Sequence, residues 1–369
     1  QLLSRERADL LPPELAEALA VLRASADAMP ATQVRRVLGR EYGRGWEERF
    51  ARFDWEPIAA ASIGQVHAAI AADGRRLALK IQYPGVARSI DADVDNVAAL
   101  LRLAKLLPVD LDVSGLVAEA KRQLRQEADY RIEAASLRRY RALVADEPAL
   151  TVPAVHDDLC TQRVLAMDLA TGEPIESLGE RGVPQARRDA VGALLERLVF
   201  RELFEFRFVQ TDPNFANYLV DPTQERVALL DFGATREVAP VLAERYARIC
   251  RAIVAGDREG VRAGAVEIGY VRPDESEERL RGVVDLILLV CEPLRRPGPY
   301  DFGRSTLPSR VRDLGMDLAF RRGFLRAPPP ETVFLHRKLI GSFLLCARIR
   351  ARVDAHALIR PLIGLDGSA

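Results

Sequence analysis

Leucines at 10, 11, 15, 19 and 22 recur at helical spacing, with Pro12-Pro13 near a helix start. Pro30 and the Gly43-Arg44-Gly45 turn punctuate the next stretch, so residues 1–50 read as helices with a break. From Phe53 the period changes. Residues 63–70 and 77–82 are short strand-like runs whose connection carries Ala-Ala-Asp-Gly-Arg-Arg, a hairpin signal. Helices are predicted over about 87–107 and about 113–144, the second dense in Arg and Glu and partly solvated. Residues 152–155 and 163–169 read as strands, and Ala170-Thr171-Gly172 as a hinge. Helices then dominate. One hairpin interrupts them, formed by Tyr218-Leu219-Val220, a turn at Asp221-Pro222, and residues 227–230. The expected class is α+β, with a helical extension (1–50), a small sheet with inserted helices (51–170) and a mostly helical half (171–369). That layout suits a ligand held in an interdomain cleft.

Composition narrows the classes. The chain has 369 residues, 49% hydrophobic and 29% charged, which excludes a disordered or collagen-like polymer. Basic and acidic residues balance at 53 each, so no overall field draws in nucleic acid, and none is expected as a partner. Only four of the 53 basic residues are lysines, a bias that goes with a GC-rich bacterial genome and makes each lysine conspicuous. Cys160, Cys250, Cys291 and Cys346 lie outside ligand spacing, which predicts reduced thiols and a cytoplasmic setting rather than zinc or disulfides. Residues 57–72 carry no formal charge but lack bulky apolar side chains, and the apolar run 339–347 is short. Neither a signal peptide nor a transmembrane helix is expected. The chain opens on Gln1 rather than Met and reads as a fragment.

The chemistry concentrates late in the sequence. In Gln210-Thr-Asp-Pro-Asn-Phe-Ala-Asn217 an Asp and an Asn stand five apart before the second hairpin, and Asp231-Phe232-Gly233 ends that hairpin's second strand. Protein kinases use this arrangement. A loop Asp (here Asp212) positions the acceptor, an Asn (Asn217) holds one Mg²⁺, and the last Asp (Asp231) holds the metal that bridges the phosphates. Magnesium needs few protein oxygens when phosphates supply the rest. Asp301-Phe302-Gly303 repeats the tripeptide without a strand or an Asp-x4-Asn before it, and is read as a loop.

Lys80 ends Leu77-Ala-Leu-Lys80, as the phosphate-pairing lysine of a kinase ends its third strand. It requires a carboxylate from the following helix, where Glu127, Asp129 and Glu133 are candidates that position alone does not separate. In place of a Gly-rich phosphate loop stands Ala59-Ala60-Ala61-Ser62-Ile63-Gly64-Gln65, whose methyls restrict the backbone approach that glycine allows. A kinase's His-Arg before Asp212 is replaced by Gln210-Thr211, and no Ala-Pro-Glu follows Asp231. Control by activation-loop phosphorylation is therefore not expected. His336-Arg337-Lys338 lacks the Asp of a catalytic loop and is assigned to a late helix.

Together these segments resemble the UbiB/ADCK atypical kinases, the AarF-domain family. The carriers are Pro57 to His67, Leu79 to Val86, Glu127-Ala-Asp-Tyr130 through Glu133, Gln210 to Asn217, and Leu229 to Arg236, with Leu335-His-Arg-Lys338 beyond. The likeness is greatest to the coenzyme Q subgroup. It implies a two-lobe kinase-like fold that binds ATP or ADP with Mg²⁺, hydrolyses ATP and supports ubiquinone synthesis. Lys80, Glu133 and Asp212 would be catalytic, with Glu133 paired to Lys80. Ala59, Ala60, Ala61, Ser62 and Lys80 would line the nucleotide, and Asn217 and Asp231 would hold the metal. Glu127 and Asp129 would face an N-terminal Lys-x-Gly-Gln motif that covers the site, of which Gln1 is the last residue. Implied partners are an isoprenoid-quinone precursor lipid or the enzymes that modify it, with peripheral contact at the inner membrane left open. The alternatives are a nucleotide-switched, pseudokinase-like scaffold and a small-molecule kinase.

Overall fold

The computed structural model describes residues 28–61, 63–103, 117, 118, 121, 122, 125, 128–223, 226–324 and 328–365. The leucine-patterned segment before Pro30 and the expectations for Ser62 and Glu127 lie outside the described residues. The chain forms two compact units. One contains the described residues up to Gly172 together with Ala228–Ala234; the other contains Glu173–Val227 and the residues from Thr235.

The first unit is built on a five-stranded antiparallel sheet. Its strands are β1 (Phe50–Phe53), β2 (Ala59–Ala61), β3 (Gly64–Ala71), β4 (Arg76–Gln82) and, after the two-residue β5 (Leu150–Thr151), β6 (Val164–Asp168). The order is β1-β3-β4-β6, with β2 also on β3. Alternation along β4 sorts its side chains. Leu77, Leu79 and Ile81 enter a core with Val34, Val37 and Leu38, which lie at i, i+3 and i+4 on helix α1 (Ala31–Tyr42), and with Trp46, Phe50, Val164 and Ala166. Ala78, Lys80 and Gln82 face the other way. Gly74 takes a left-handed φ of 90° in the turn between β3 and β4.

Helix α2 (Val86–Leu103) comes next, then α3 (Tyr130–Leu143). The continuous helix expected to 144 does not form: the chain breaks before Tyr130, and Asp129 caps α3 by accepting from Arg131 N. Of the strand expected at 152–155, the structure keeps an isolated bridge from Val155 to Met167.

The second unit is mainly helical: α4 (Gln185–Arg201), α5 (Pro240–Ala255), α6 (Arg258–Ile268), α7 (Glu277–Val290), α8 (Leu307–Met316), α9 (Pro330–Arg348) and α10 (Ala355–Ile359). Phe200, Val209, Tyr246, Ile249, Ile253, Val261 and Leu335 contribute to its core. Short strands interrupt it more often than the single expected hairpin. They are β7 (Glu173–Pro174) paired with β9 (Tyr218–Val220), β8 (Phe208–Gln210) paired with β11 (Thr235–Glu237), and β12 (Tyr300–Asp301) paired with β13 (Arg352–Val353). Strand β10 (Val227–Leu229) comes after a turn closed by Asp221 N donating to Arg226 O. Asp301 is thus not in a bare loop. It ends β12, caps the next turn by accepting from Arg304 N, and pairs with Arg352 at 3.3 Å.

Candidate functional site

The first unit assembles a buried charge cluster. The outward face of β4 presents Lys80. The first turn of α3 presents Glu133 on a buried stripe with Tyr130, Ala134, Leu137 and Tyr140. Lys80 Nζ donates to Glu133 Oε1 and Oε2, each at 2.9 Å, and to Asp231 Oδ2, also at 2.9 Å. Asp231 Oδ1 accepts from Gly233 N, and the buried Phe232 ring packs 4.5 Å from Tyr140, which fixes the tripeptide against α3. Lys80 and Glu133 are 4% and 3% exposed, so their pairing is desolvated rather than screened.

One cation sits between two carboxylates, and the shifts follow from that count. Burial pushes the Lys80 ammonium down, but Asp231 and Glu133 outweigh it and hold it well above the ordinary lysine value. Burial also opposes Asp231, yet Lys80 and the Gly233 amide keep it below the usual carboxylate range. Burial pushes Glu133 up to about 7 against the pull of Lys80. The cost of placing two carboxylates around one cation therefore falls on Glu133, the deeper of the two, which takes up a proton more readily than Asp231.

The Ala-rich segment is a strand. Ala59, Ala60 and Ala61 pair with Val66, Gln65 and Gly64. Gly64 is required there, because a side chain would collide with the Ile81 carbonyl and the Tyr130 hydroxyl. Gln65 accepts from Met29 N at 2.7 Å and donates to Met29 O at 3.3 Å, tying β3 to the segment before α1. Gln65 Nε2 also lies 2.7 Å from His67 Nε2, and His67 Nδ1 lies 2.8 Å from the Asp54 carbonyl. That carbonyl only accepts, so Nδ1 carries the hydrogen and Nε2 accepts from Gln65. Burial lowers the His67 pKa and keeps the ring neutral. Asp129 turns its carboxylate to Arg131, 2.6 Å away.

The second unit holds the other half of the expected constellation. Asn217 Nδ2 donates to Asp212 Oδ2 at 2.9 Å, which turns the Asn217 carbonyl oxygen the other way. Arg337, from α9, donates to Asp212 Oδ1 at 2.9 Å. Sequence reasoning places Arg337 in a late helix, which is where it lies, but misses this contact across 125 positions. Gln210 Nε2 donates to the Asp212 carbonyl at 2.9 Å.

The ABC1 atypical kinase-like domain matches residues 21–265. The chain belongs to that family. It is 41% identical over 360 residues to the mitochondrial atypical kinase COQ8B of Rattus norvegicus, covering 98% of this chain and 67% of that one. It is 38% identical to the mitochondrial atypical kinase COQ8 of Saccharomyces cerevisiae, covering 98% and 72%. With coq-8 of Caenorhabditis elegans it shares 36% identity over 98% of its own length but 48% of that protein's. Among solved structures, that of Rv3197 from Mycobacterium tuberculosis with erythromycin superposes with a TM-score of 0.73. Identity is 26%, over 98% of this chain and 90% of that one. The fold is accordingly the kinase-like α+β fold.

Donor chemistry fits a hard cation served by few protein ligands. Among the described residues no group of three or more His, Cys, Asp or Glu side chains is arranged to hold a metal ion. Taken unit by unit, the Asp231 carboxylate of the first and the Asn217 amide oxygen of the second are each an oxygen type that magnesium accepts.

Proposed function

We propose that this protein is a kinase-like ATPase that uses Mg-ATP and supports the synthesis of ubiquinone or a related isoprenoid quinone. The observation that carries the reading is the buried Lys80–Glu133–Asp231 cluster, because a desolvated lysine held by two carboxylates is the arrangement that presents an ammonium to nucleotide phosphates. Asn217 and Asp231 are the metal ligands in this reading. When bound, Mg²⁺ neutralises charge on the phosphates. Lys80 orients the phosphates, Glu133 keeps Lys80 in place, and Asp212 orients the group that attacks phosphorus. Ala59, Ala60, Ala61 and Ser62 cover the nucleotide. The quinone assignment rests on the COQ8 relatives and brings with it an isoprenoid-quinone precursor, or the enzymes acting on it, as partner. Among the described residues no helix is long and apolar enough to cross a membrane, and peripheral contact with such a lipid is part of the proposal.

A second reading, a nucleotide-switched scaffold, draws on Asp212. Both of its oxygens are already held, by Arg337 and Asn217, as in a site that binds without transferring. The quinone profile of cells lacking the gene tests the leading proposal. Loss of the mature quinone with build-up of an early isoprenoid phenol is expected; an unchanged profile would contradict it.

The Ala-rich strand supplies a further prediction. Ala61→Gly should loosen the β2–β3 turn by about 0.5–1 kcal/mol and let backbone amides approach the phosphates. The balance of ATP and ADP affinities should shift, as measured by nucleotide titration. Unchanged affinities for both would place this strand away from the phosphates.

A further inference from the structure

Helix α9 meets the loop after β8 through Arg337, Lys338 and Gly341. Arg337 takes the Asp212 side chain, and Gly341 lies so close to Pro213 that a methyl group there would overlap its ring. Lys338 has no part in the function proposed above, yet among the described residues it is one of the few buried cations, at 5% exposure. Its ammonium forms an ion pair with the fully buried Glu202 at 2.9 Å and donates to Gln210 Oε1 at 3.3 Å. Glu202 opens a π-helical turn (Glu202–Phe206), and its other oxygen accepts from Gln210 N at 3.0 Å. Arg207 comes next in a left-handed conformation, φ 51°, so the chain enters β8 under strain that these contacts must hold. Burial pushes the Lys338 ammonium down, but Glu202 outweighs it and keeps Lys338 charged.

A carboxamide has one accepting and one donating end. Lys338 only donates, so it fixes the oxygen end of Gln210 and turns the NH₂ end toward the Asp212 carbonyl. We propose that Lys338 is a positioning residue for Asp212, acting through Gln210 in place of the His-Arg pair that precedes the loop Asp of a protein kinase. The proposal rests on the reading that Asp212 orients the attacking group.

The test uses three variants: Gln210→Ala, which leaves the buried ion pair intact; Glu202→Gln with Lys338→Met, which removes both charges together; and all three substitutions combined. Amide hydrogen exchange over residues 208–218 should speed up by about tenfold in each while β4 and β6 stay protected. Turnover should fall by roughly 10–100-fold with nucleotide affinity within about threefold of the parent, because a shift of the loop costs rate rather than binding. The combined variant should be no worse than either alone, since the residues act in series. Unchanged exchange, or losses that simply add, would overturn the proposal. Absence of phosphate release from the unmodified protein would instead count against the ATPase reading, and exchange over 208–218 would still decide the role of Lys338.

Discussion

Asp231→Asn should abolish Mg-dependent nucleotide binding without weakening the fold. The substitution keeps an oxygen for Lys80 or Gly233 but removes the charge that a hard cation requires. It also takes away one of the two carboxylates competing for Lys80, which relieves Glu133, now raised to about 7. Thermal stability without nucleotide should therefore stay level or rise slightly. The stabilisation by Mg-ATP, about 2.7 kcal/mol at a hundredfold excess over Kd, should disappear. Asp301→Asn is the matched control. It keeps an oxygen for the Arg304 cap and loses only the exposed Arg352 ion pair, at a cost of about 0.2–1 kcal/mol, and should leave the Mg-ATP response intact. An undiminished response in Asp231→Asn would remove Asp231 from the metal site.

Lys80 carries the second large expectation, in two variants that separate charge from shape. Lys80→Met leaves Glu133 and Asp231 facing each other without a cation. Breaking a buried pair from one side costs about 3–5 kcal/mol, which urea denaturation would read as an earlier midpoint. Lys80→Arg keeps the charge but puts a planar fork where three oxygens converge on one nitrogen. Turnover should drop on the order of a hundredfold, while stability falls less than in Lys80→Met. Full ATPase activity in Lys80→Arg would mean that Lys80 does not touch the phosphates.

The sequence made some of this legible and hid the rest for identifiable reasons. The β3–β4 hairpin and the end position of Lys80 could be read because alternation and a turn tetrad are local signals. Glu133 could not be chosen over Asp129 by position. The cap settles the geometry: Asp129 stops outside the helix and turns to Arg131, whereas Glu133 falls on the buried stripe one turn in. An Asp ahead of Tyr130 was a helix-start signal, but the Arg- and Glu-rich run has no Pro or Gly between Leu116 and Val144 to mark the break. Strands of two or three residues, such as β8 and β12, are too short to show a period. Arg337 and Lys338 lie more than a hundred residues from the loop they hold. The available hint was the scarcity of lysine, since Lys80 and Lys338 are both buried among carboxylates in a chain that otherwise uses arginine. The two Asp-Phe-Gly copies show the value of context. Asp231 enters the charge cluster, whereas Asp301, identical in tripeptide, caps a turn.

The most direct test of the central claim is the fate of the γ-phosphate of Mg-ATP on the purified protein. Radiolabelled ATP would be followed with and without detergent micelles and a small phenol, in the presence of a generic protein substrate. The account predicts slow release of phosphate that depends on magnesium, rises with phenol and micelles, and leaves the protein substrate unlabelled. Strong label transfer to protein, with no response to phenol or micelles, would contradict it and make this an ordinary protein kinase.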